Sequence, residues 1–460
     1  MAKKERVDVT GLDELTRRDL LRRAGAGAVV LVYGGMGAKT AVAGAPKYAK
    51  KQLAGTLRIL QWSHFVPAYD VWYDKTYTKA WGRVNDTEVI VDHVNQADLP
   101  ARVASEMTAR RGHDLVSLLA PAPQYEDQVI DHKVIVQEVT KKRGKMADVC
   151  YRSSYNPKTK RYHGFPDNYA PDPVNYRIDL WGQTGLKPTS WDNVLKAAPR
   201  LKQLGNPIGL GMSNEIDSNM FLMSLMMCFG SFIQSKDHRV ILNTKATREA
   251  LSFARELYRR GMSNEIFAWT AASNNNAMLA GHLSMAMNAI SITRLAELQN
   301  RDLANKIGLL PIPKGPRGRF GLEHVMYTYM IPKWAPNKKA AIKFLVDLEV
   351  KYTGAFENSK FYNFPSFPSS VRNIPVRLGR DQNTPKGKYK ILETINKNYT
   401  YNVGYPGFTN AAIGEVFSLW MIPQMFAEVA QGKRTPADAA RTYHKQIGTI
   451  FTKWRKAGKI

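Results

Sequence analysis

The chain has 460 residues, of which 44% are apolar and 10% aromatic, with a formal net charge of +27. This length predicts two or three domains with a sizeable core, and the composition excludes disordered and fibrous classes. A charge of this size would suit nucleic acid or an anionic membrane, but KKRGK at 141–145 is the only tight basic run and no zinc-finger, basic-zipper or RNA-binding pattern accompanies it. We therefore expect no nucleic-acid partner, and interpret the run as a solvated loop.

The N-terminus has the three parts of an export signal. Residues 16–22 read TRRDLLR, the twin-arginine pattern, and an apolar run of small residues follows from Ala24 to Gly37. Ala41-Val42-Ala43 then supplies the small side chains that a signal peptidase recognises. The sequence predicts a signal peptide over 1–43, cleaved after Ala43, and a protein that is soluble in the periplasm.

Cys150 and Cys228 are the only cysteines. The count excludes a disulfide framework, a CxxC redox site and a CxxCH haem site. A single disulfide between the two cysteines remains an alternative, although Cys228 lies in FLMSLMMCFG and has the surroundings of a buried small hydrophobe. We expect no cofactor and no metal.

Strand and helix patterns alternate after the export signal. Thr56–Trp62, Glu88–Val94 and Asp114–Leu119 are predicted strands, and Asp98 begins a helix with an apolar face. Such alternation predicts a parallel or mixed sheet covered by helices on both faces. Ligands bind beyond the carboxyl ends of strands in such sheets, so Trp62, His64 and Phe65 are candidates for a site, with a core role equally open for Trp62.

The segment WTAASNNNAMLAGHLSMAMNAIS, from Trp269 to Ser291, combines an aromatic residue, an amide-rich helix start, a Gly turn and an apolar strand. It is suited to placing side chains in a cleft at both ends. The alternative is a surface helix followed by a buried strand. Further helices are predicted at 190–204, 219–229, 244–260 and from Thr435 onward, and a strand at 306–311.

Five stretches in order resemble one family. These are the first strand with Trp62 and His64, FPDNY at 165–169, NYRIDLWGQTGLKPTSWDNVLKAA at 175–198, the 269–288 segment, and GLEH through KKAAIKFL at 321–345. They resemble the family 1 extracellular solute-binding proteins of ABC importers, the group that includes maltose-binding protein, over nearly all of 56–455. Arg177 departs from the Asn or Lys that members often carry there.

The resemblance implies an α/β, two-lobed periplasmic binding protein of type II, each lobe a mixed sheet flanked by helices, joined by hinge segments. It places lobe one at 44–162 plus 272–318 and lobe two at 163–271 plus 319–460, with Trp269 to Ser291 as a return crossing. It implies a monomeric, non-catalytic receptor that binds a carbohydrate or polyol between the lobes and delivers it to the transmembrane subunits of an ABC permease.

Sugar recognition needs aromatic faces and a few well-placed polar groups. The candidate stacking residues are Trp62, Phe65, Trp269, Tyr327 and Tyr405. The candidate hydrogen-bonding residues are His64, Asn168, Asn214, Asp217, Asn275, Asn288, Glu323 and His324. Each also has a structural interpretation, such as a helix cap for Asn275 or Asp217, and we expect about half of them to touch ligand.

Two other functions stay open. A secreted glycoside hydrolase needs two carboxylates about 5 to 10 Å apart, and Asp114, Asp167, Asp217 and Glu323 are the available residues. The same fold binding a sugar acid or phosphorylated polyol needs a cation in the cleft, for which Arg177 and Arg294 are the candidates.

Overall fold

The computed structural model describes residue 53 and residues 55–460. The predicted twin-arginine signal and its cleavage after Ala43 lie outside the described residues. None of the described helices is both long enough and apolar enough to cross a membrane.

Thirteen strands run through the described residues. They are β1 (Gly55–Trp62), β2 (Thr87–Val94), β3 (Leu115–Leu118), β4 (Tyr155–Asn156), β5 (Arg161–Tyr162), β6 (Phe165–Pro171), β7 (Val174–Arg177), β8 (Ile208–Gly209), β9 (Met285–Met287), β10 (Ile307–Leu310), β11 (Gly321–Met330), β12 (Phe364–Pro365) and β13 (Thr400–Tyr401).

Two mixed sheets contain eleven of these strands, and β4 and β5 form a separate two-stranded sheet. The larger sheet has the order β12-β6-β11-β3-β1-β2, with β13 beside β11, and the smaller sheet has the order β10-β7-β9-β8. Strands β1, β2 and β3 are mutually parallel, whereas β11 runs antiparallel to both β3 and β6. All ten residues of β11 are buried, as expected for a central strand covered on both faces.

The helices cover both sheets. They are α1 (Pro67–Trp72), α2 (Thr78–Asn85), α3 (Leu99–Ala109), α4 (Lys133–Arg143), α5 (Asp148–Ser154), α6 (Ile178–Gly182), α7 (Trp191–Gln203), α8 (Ile216–Phe229), α9 (Lys245–Gly261), α10 (Ser273–Leu279), α11 (Ser291–Gln299), α12 (Arg301–Ala304), α13 (Lys338–Val350), α14 (Thr353–Asn358), α15 (Ile374–Gly379), α16 (Ile391–Tyr399), α17 (Ala411–Ser418), α18 (Met421–Ala430) and α19 (Pro436–Lys456). A π-helical turn joins α1 to α2, and short 3-10 turns lie at Pro123–Tyr125, Asn264–Phe267, Pro368–Ser370 and Lys388–Lys390.

Local sequence explains where the longer helices begin. The side chains of Ser190, Thr244 and Thr435 each accept a hydrogen bond from a backbone N–H of the first turn, at the starts of α7, α9 and α19. Pro436 is the first residue of α19, where its missing N–H has no intrahelical partner to lose. The starts of α7 and α19 confirm the predictions made from capping residues, and α9 lies where a helix was predicted over 244–260.

The architecture confirms the predicted class, an α/β fold of two lobes with mixed sheets flanked by helices. Helix α9 packs against α7, α18 and α19, so the C-terminal helices lie with the helices that follow the smaller sheet. The chain passes from the larger to the smaller sheet between Pro171 and Val174, and returns between Leu310 and Gly321.

Sheet membership divides the strands differently from the expected lobe boundaries. Strands β6 and β11, both expected in lobe two, share the larger sheet with β1, β2 and β3 of the expected lobe one. Strands β9 and β10, expected with 44–162, belong to the smaller sheet. The segment from Trp269 to Ser291 is therefore no crossing between sheets, because its strand β9 lies between β7 and β8. The hydrogen-bond partners of these strands are far away in sequence, so local patterns carried no information about them.

Both cysteines are free thiols. Cys150 and Cys228 are buried, and burial raises the pKa of the Cys228 thiol to about 11. Cys228 packs as the small hydrophobe that its sequence context predicted.

Candidate functional site

A cavity of about 420 Å³ lies at the carboxyl end of β3. The lining includes residues before and within α3, the loop that follows β3 of the larger sheet, and Ile216 at the start of α8, the helix that follows β8 of the smaller sheet in the chain. The junction between α17 and α18 completes the wall. The residues that line it are Gln96, Ala97, Leu99, Pro100, Ala101, Ala104, Leu118, Leu119, Ala120, Pro121, Ala122, Gln124, Tyr125, Ile216, Phe417, Ser418 and Trp420.

Trp420 has an unusual backbone. Its φ of 57° and ψ of 30° place it in the left-handed region, between α17 and α18. Bulky residues adopt this conformation rarely, and such outliers concentrate at functional sites. This backbone conformation places the half-buried Trp420 ring in the cavity wall.

Gly414 lies where α17 packs against the turn on the opposite wall of the cavity. Helix α17 packs against the 3-10 turn at Pro123–Tyr125. A Cβ on Gly414 would lie 2.6 Å from Gln124 Oε1 and 3.0 Å from Pro123 Cδ. The absence of a side chain at Gly414 thus allows the C-terminal helices to approach the loop after β3.

A buried ionic cluster lies beside the cavity wall. The two ring nitrogens of His324, on β11, are each 3.2 Å from a carboxylate oxygen, one of Asp172 and one of Asp217. Asp172 occupies the passage from β6 to β7, and Asp217 follows the cavity residue Ile216 at the start of α8. Burial lowers the pKa of His324, but the charge of Asp217 and hydrogen bonds with both carboxylates outweigh it and raise the pKa to about 10. His324 is therefore a cation at neutral pH.

Amides extend this cluster toward the smaller sheet. Asn274 and Asn288 donate to Asp217 Oδ2 over 2.6 and 3.3 Å, and Asn288 also donates to Asn275 Oδ1 over 2.7 Å. Asn275 in turn donates to Ser291 Oγ over 3.1 Å. Four predicted residues, Asp217, Asn275, Asn288 and His324, thus come together in one network of ion pairs and hydrogen bonds.

A second predicted group also comes together. The Trp62 ring lies 5.2 Å from His64, 5.0 Å from Phe65 and 5.5 Å from Tyr327, measured between centroids. Asn168 is buried opposite Tyr327 in the pairing of β6 with β11. The indole N–H of Trp62 and the hydroxyl of Tyr327 are buried without a hydrogen-bond partner among the described residues. Leu119, which lines the cavity, accepts a backbone hydrogen bond from Met326, so this aromatic group lies directly behind the cavity loop.

Four predicted residues lie elsewhere. Asn214 is exposed, and Trp269 is half-buried and packs against hydrophobic core. Glu323 is fully buried and accepts hydrogen bonds from Ser153 Oγ and the backbone N–H of Val403. Tyr405 packs with Tyr401 and lines a different cavity of about 250 Å³.

None of the thirteen predicted residues lines the 420 Å³ cavity. The residues missed there include Gln96, Gln124, Tyr125 and Trp420. The rule that ligands bind beyond strand ends, which selected Trp62, also applies to the loop after β3 and would have found Gln124 and Tyr125. No sequence pattern marked Trp420, because its position depends on the packing of distant helices.

Comparison with known protein families shows which proteins part of the chain resembles. The model of the bacterial extracellular solute-binding protein family matches residues 136–346, a region that contains the ionic cluster, the passage between the sheets and strand β11. Residues 136–346 are thus similar to the bacterial extracellular solute-binding proteins. No curated protein sequence matches the chain.

Solved structures share the fold of this solute-binding protein. An ABC transporter solute-binding protein from Thermotoga lettingae, bound to α-D-tagatose, has a TM-score of 0.71 and 16% identity, covering 86% of this chain and 100% of its own. A sugar transporter from Arthrobacter chlorophenolicus with bound laminaribiose has a TM-score of 0.71 and 16% identity, with coverages of 86% and 99%. A solute-binding protein from Agrobacterium radiobacter in complex with ribitol has a TM-score of 0.68 and 15% identity, covering 87% and 100%.

The carboxylates considered for hydrolysis are engaged elsewhere in this solute-binding protein. Asp114 accepts from the backbone N–H groups of Arg58 and Asn337, over 3.0 and 2.7 Å. Asp167 is buried beside the Tyr352 hydroxyl at 3.3 Å. No Asp or Glu is among the residues that line the 420 Å³ cavity, so the cavity lacks the pair that glycoside hydrolysis requires.

The cations considered for an anionic ligand are also engaged. Arg177 forms two hydrogen bonds to Asp179, of 2.8 and 2.6 Å. Arg294 pairs with Glu297 at 2.8 Å and Asp381 at 3.0 Å. Neither residue lines the cavity, and no Arg or Lys does.

Proposed function

We propose that this protein is a periplasmic receptor that binds a neutral carbohydrate or polyol in the 420 Å³ cavity and delivers it to an ABC permease. The observation that carries the proposal is that elements attached to both sheets wall one cavity at the carboxyl end of β3. Its volume falls within the range of about 300–1,000 Å³ typical of small-molecule sites. The receptor is non-catalytic and acts as a monomer.

The lining supports a polyhydroxylated ligand without charge. The ring of Trp420 offers a flat face for the C–H side of a sugar, while the amides of Gln96 and Gln124 and the hydroxyl of Tyr125 offer donors and acceptors. A buried hydroxyl without a partner costs about 1–3 kcal/mol, so these few polar groups select the hydroxyl pattern of the ligand. Proteins of the same fold bind tagatose, laminaribiose and ribitol, which is the ligand class inferred here.

The sheet pairings support revised lobe boundaries. Lobe one takes about 55–171 and 321–401, around the larger sheet, and lobe two takes about 174–310 and 411–456, around the smaller sheet and the C-terminal helices. Ligand binds between them and favours the closed arrangement by its higher affinity for it. The ionic cluster around His324 fixes the start of α8 beside Ile216, and the aromatic group around Trp62 supports the loop after β3.

A thermal-shift screen of the mature chain tests the proposal. The panel contains mono-, di- and oligosaccharides and polyols, with sugar acids as the charged comparison. A ligand present at about 100 times its dissociation constant stabilises the folded protein by roughly 2.7 kcal/mol. We expect a neutral member to raise the melting temperature and to be recovered unchanged after incubation. A panel in which only sugar acids raise the melting temperature, or a ligand that is hydrolysed, would contradict the proposal.

A further inference from the structure

A second cavity, of about 340 Å³, lies on the larger sheet's side of the molecule, away from the residues that line the cavity proposed for sugar. It lies where the carboxyl ends of α4 and α13 meet the 3-10 turn at Pro368–Ser370. Four cationic residues line it, together with one aliphatic residue and three hydroxyl residues. The lining is Arg143, Val350, Lys351, Thr353, Ser369, Ser370, Arg372 and Arg377.

The cations are held in place by backbone carbonyls. Arg143 donates from Nε and Nη2 to the carbonyl of Val350, over 2.9 and 2.5 Å. Arg377 donates from Nε to the carbonyl of Arg372 over 2.8 Å and pairs with Glu357. The carbonyl bonds orient the two guanidinium groups, which pre-organises them for an anion.

Most of this positive charge has no counter-charge. Neither Lys351 nor Arg372 forms an ion pair within the part of the chain that the structure describes, and no carboxylate lines the cavity. The nearby carboxyl group of Glu349 is fully buried and accepts from the backbone N–H of Phe367 over 3.1 Å. Burial raises the pKa of Glu349 well above its ordinary value, although the charge of Arg143 opposes the shift, and Glu349 does not line the cavity.

Another cavity lined by cations differs in how many of its charges are paired. It has about 390 Å³ and lies at the start of α19, lined by Arg255, Lys433, Arg434 and Arg441 but also by Asp438. There Arg441 pairs with Asp438, and Arg434 pairs with Glu428 at 2.6 Å. Two of its four cations are thus neutralised locally, against one of four around Arg143.

We propose that the cavity around Arg143, Lys351, Arg372 and Arg377 binds a phosphate group, either free or as part of a lipid head group. Guanidinium groups match phosphate oxygens in a bidentate geometry, and Lys351 adds a point charge. Thr353 and Ser369 add hydroxyl donors at the same cavity. The exposed Lys142 and Lys145 of the 141–145 run continue the positive field beside it, which gives that run a function beyond solvation.

Titration calorimetry with inorganic phosphate, at low ionic strength, tests this proposal on the mature protein. The variant is Lys351→Glu with Arg372→Glu, because both side chains are exposed and form no ion pair, so the fold is retained. The matched control is Arg255→Glu with Lys433→Glu at the other basic cavity. We expect the cavity variant to lose about tenfold or more in phosphate affinity, with the control close to wild type and sugar binding unchanged in both.

Vesicle co-sedimentation distinguishes the source of the phosphate. Phosphatidylglycerol vesicles that retain wild type but not the cavity variant would indicate a lipid head group, with phosphatidylcholine vesicles as the uncharged comparison. Phosphate binding without vesicle binding would indicate a soluble phosphate compound. The proposal is overturned if wild type does not bind inorganic phosphate, or if the control variant loses as much affinity as the cavity variant, because diffuse surface charge would then explain the result.

Discussion

The Nε2 atom of His324 lies 3.2 Å from a carboxylate oxygen of Asp217, and this contact joins the central strand of the larger sheet to the first turn of α8. Since the same imidazole lies 3.2 Å from Asp172 in the passage between the sheets, one buried cation holds together three parts of the chain. The cavity residue Ile216 precedes Asp217, so this cluster also fixes one wall of the proposed site.

Replacing His324 with Gln should destabilise the protein strongly. The change leaves two buried carboxylates without their cation, and breaking a buried pair in this way costs about 3–5 kcal/mol. Chemical denaturation at pH 7 measures the loss. His93→Gln is the control, because His93 pairs with Asp74 at a partly exposed position and such pairs contribute about 0–1 kcal/mol. Similar losses in both variants would show that the His324 cluster has no special role.

The stability that Glu323 and Asp167 contribute should fall as the pH rises from 5 to 9. Burial raises the pKa of Glu323 to about 8, although hydrogen bonds to its carboxylate oppose the shift, and burial raises the pKa of Asp167 to about 7. Because both groups hold a proton more tightly when folded than when unfolded, their contribution is full below about pH 4 and is lost as the pH passes through 7 to 8.

The variant Glu323→Gln isolates part of this effect. Gln is neutral at every pH, so the variant should lose less stability between pH 5 and 9 than wild type does. Melting temperatures across this range measure the slope, with the exposed Glu265→Gln as control. An identical slope in wild type and Glu323→Gln would refute the assignment of a shifted pKa to Glu323.

Trp420→Ala should weaken binding of the ligand found by the screen by about 30-fold or more, since buried aromatic anchors at binding sites contribute 2 kcal/mol or more. Calorimetry on the purified variant measures the change. Leu419→Ala is the matched control, because Leu419 is adjacent, half-exposed and absent from the cavity wall. Equal affinity in Trp420→Ala and wild type would exclude Trp420 from the site.

Gly414→Val should hold the cavity walls apart. Any side chain at Gly414 meets Gln124 and Pro123 at less than van der Waals distance, so α17 must move away from the loop after β3. We expect weaker ligand binding and a larger radius of gyration by X-ray scattering in the presence of ligand. Gly448→Ala is the control, since a Cβ there meets no atom within 4 Å and alanine favours a helix. Normal compaction of Gly414→Val with ligand would contradict this role.

The sequence was informative wherever structure depends on near neighbours. Helix starts at Ser190 and Thr435 followed from their capping residues, and the strand ending at Trp62 followed from its apolar pattern. The lobe boundaries did not follow from local patterns. Strand β6 pairs with β11, more than a hundred positions away, and not with β7, which comes directly after it.

The residues in and around the candidate site also divide into those that local sequence features predict and those that depend on distant packing. The aromatic group at Trp62 and the amides at Asn275 and Asn288 were predicted because strand ends and polar caps are local features, but none of these residues lines the cavity. Trp420 escaped detection because its importance arises from a left-handed backbone and from helices that fold against a distant loop.

The passage from β6 to β7 consists of only Asp172 and Pro173. So short a connection prevents the two sheets from sliding past each other, and leaves rotation as the motion available at this point. Because Asp172 also contacts His324, the same rotation changes the length of an ion pair. A single distance measured by a pair of spectroscopic labels across this joint would then describe the whole opening movement, and the charge state of one imidazole would set how stiffly the joint resists it.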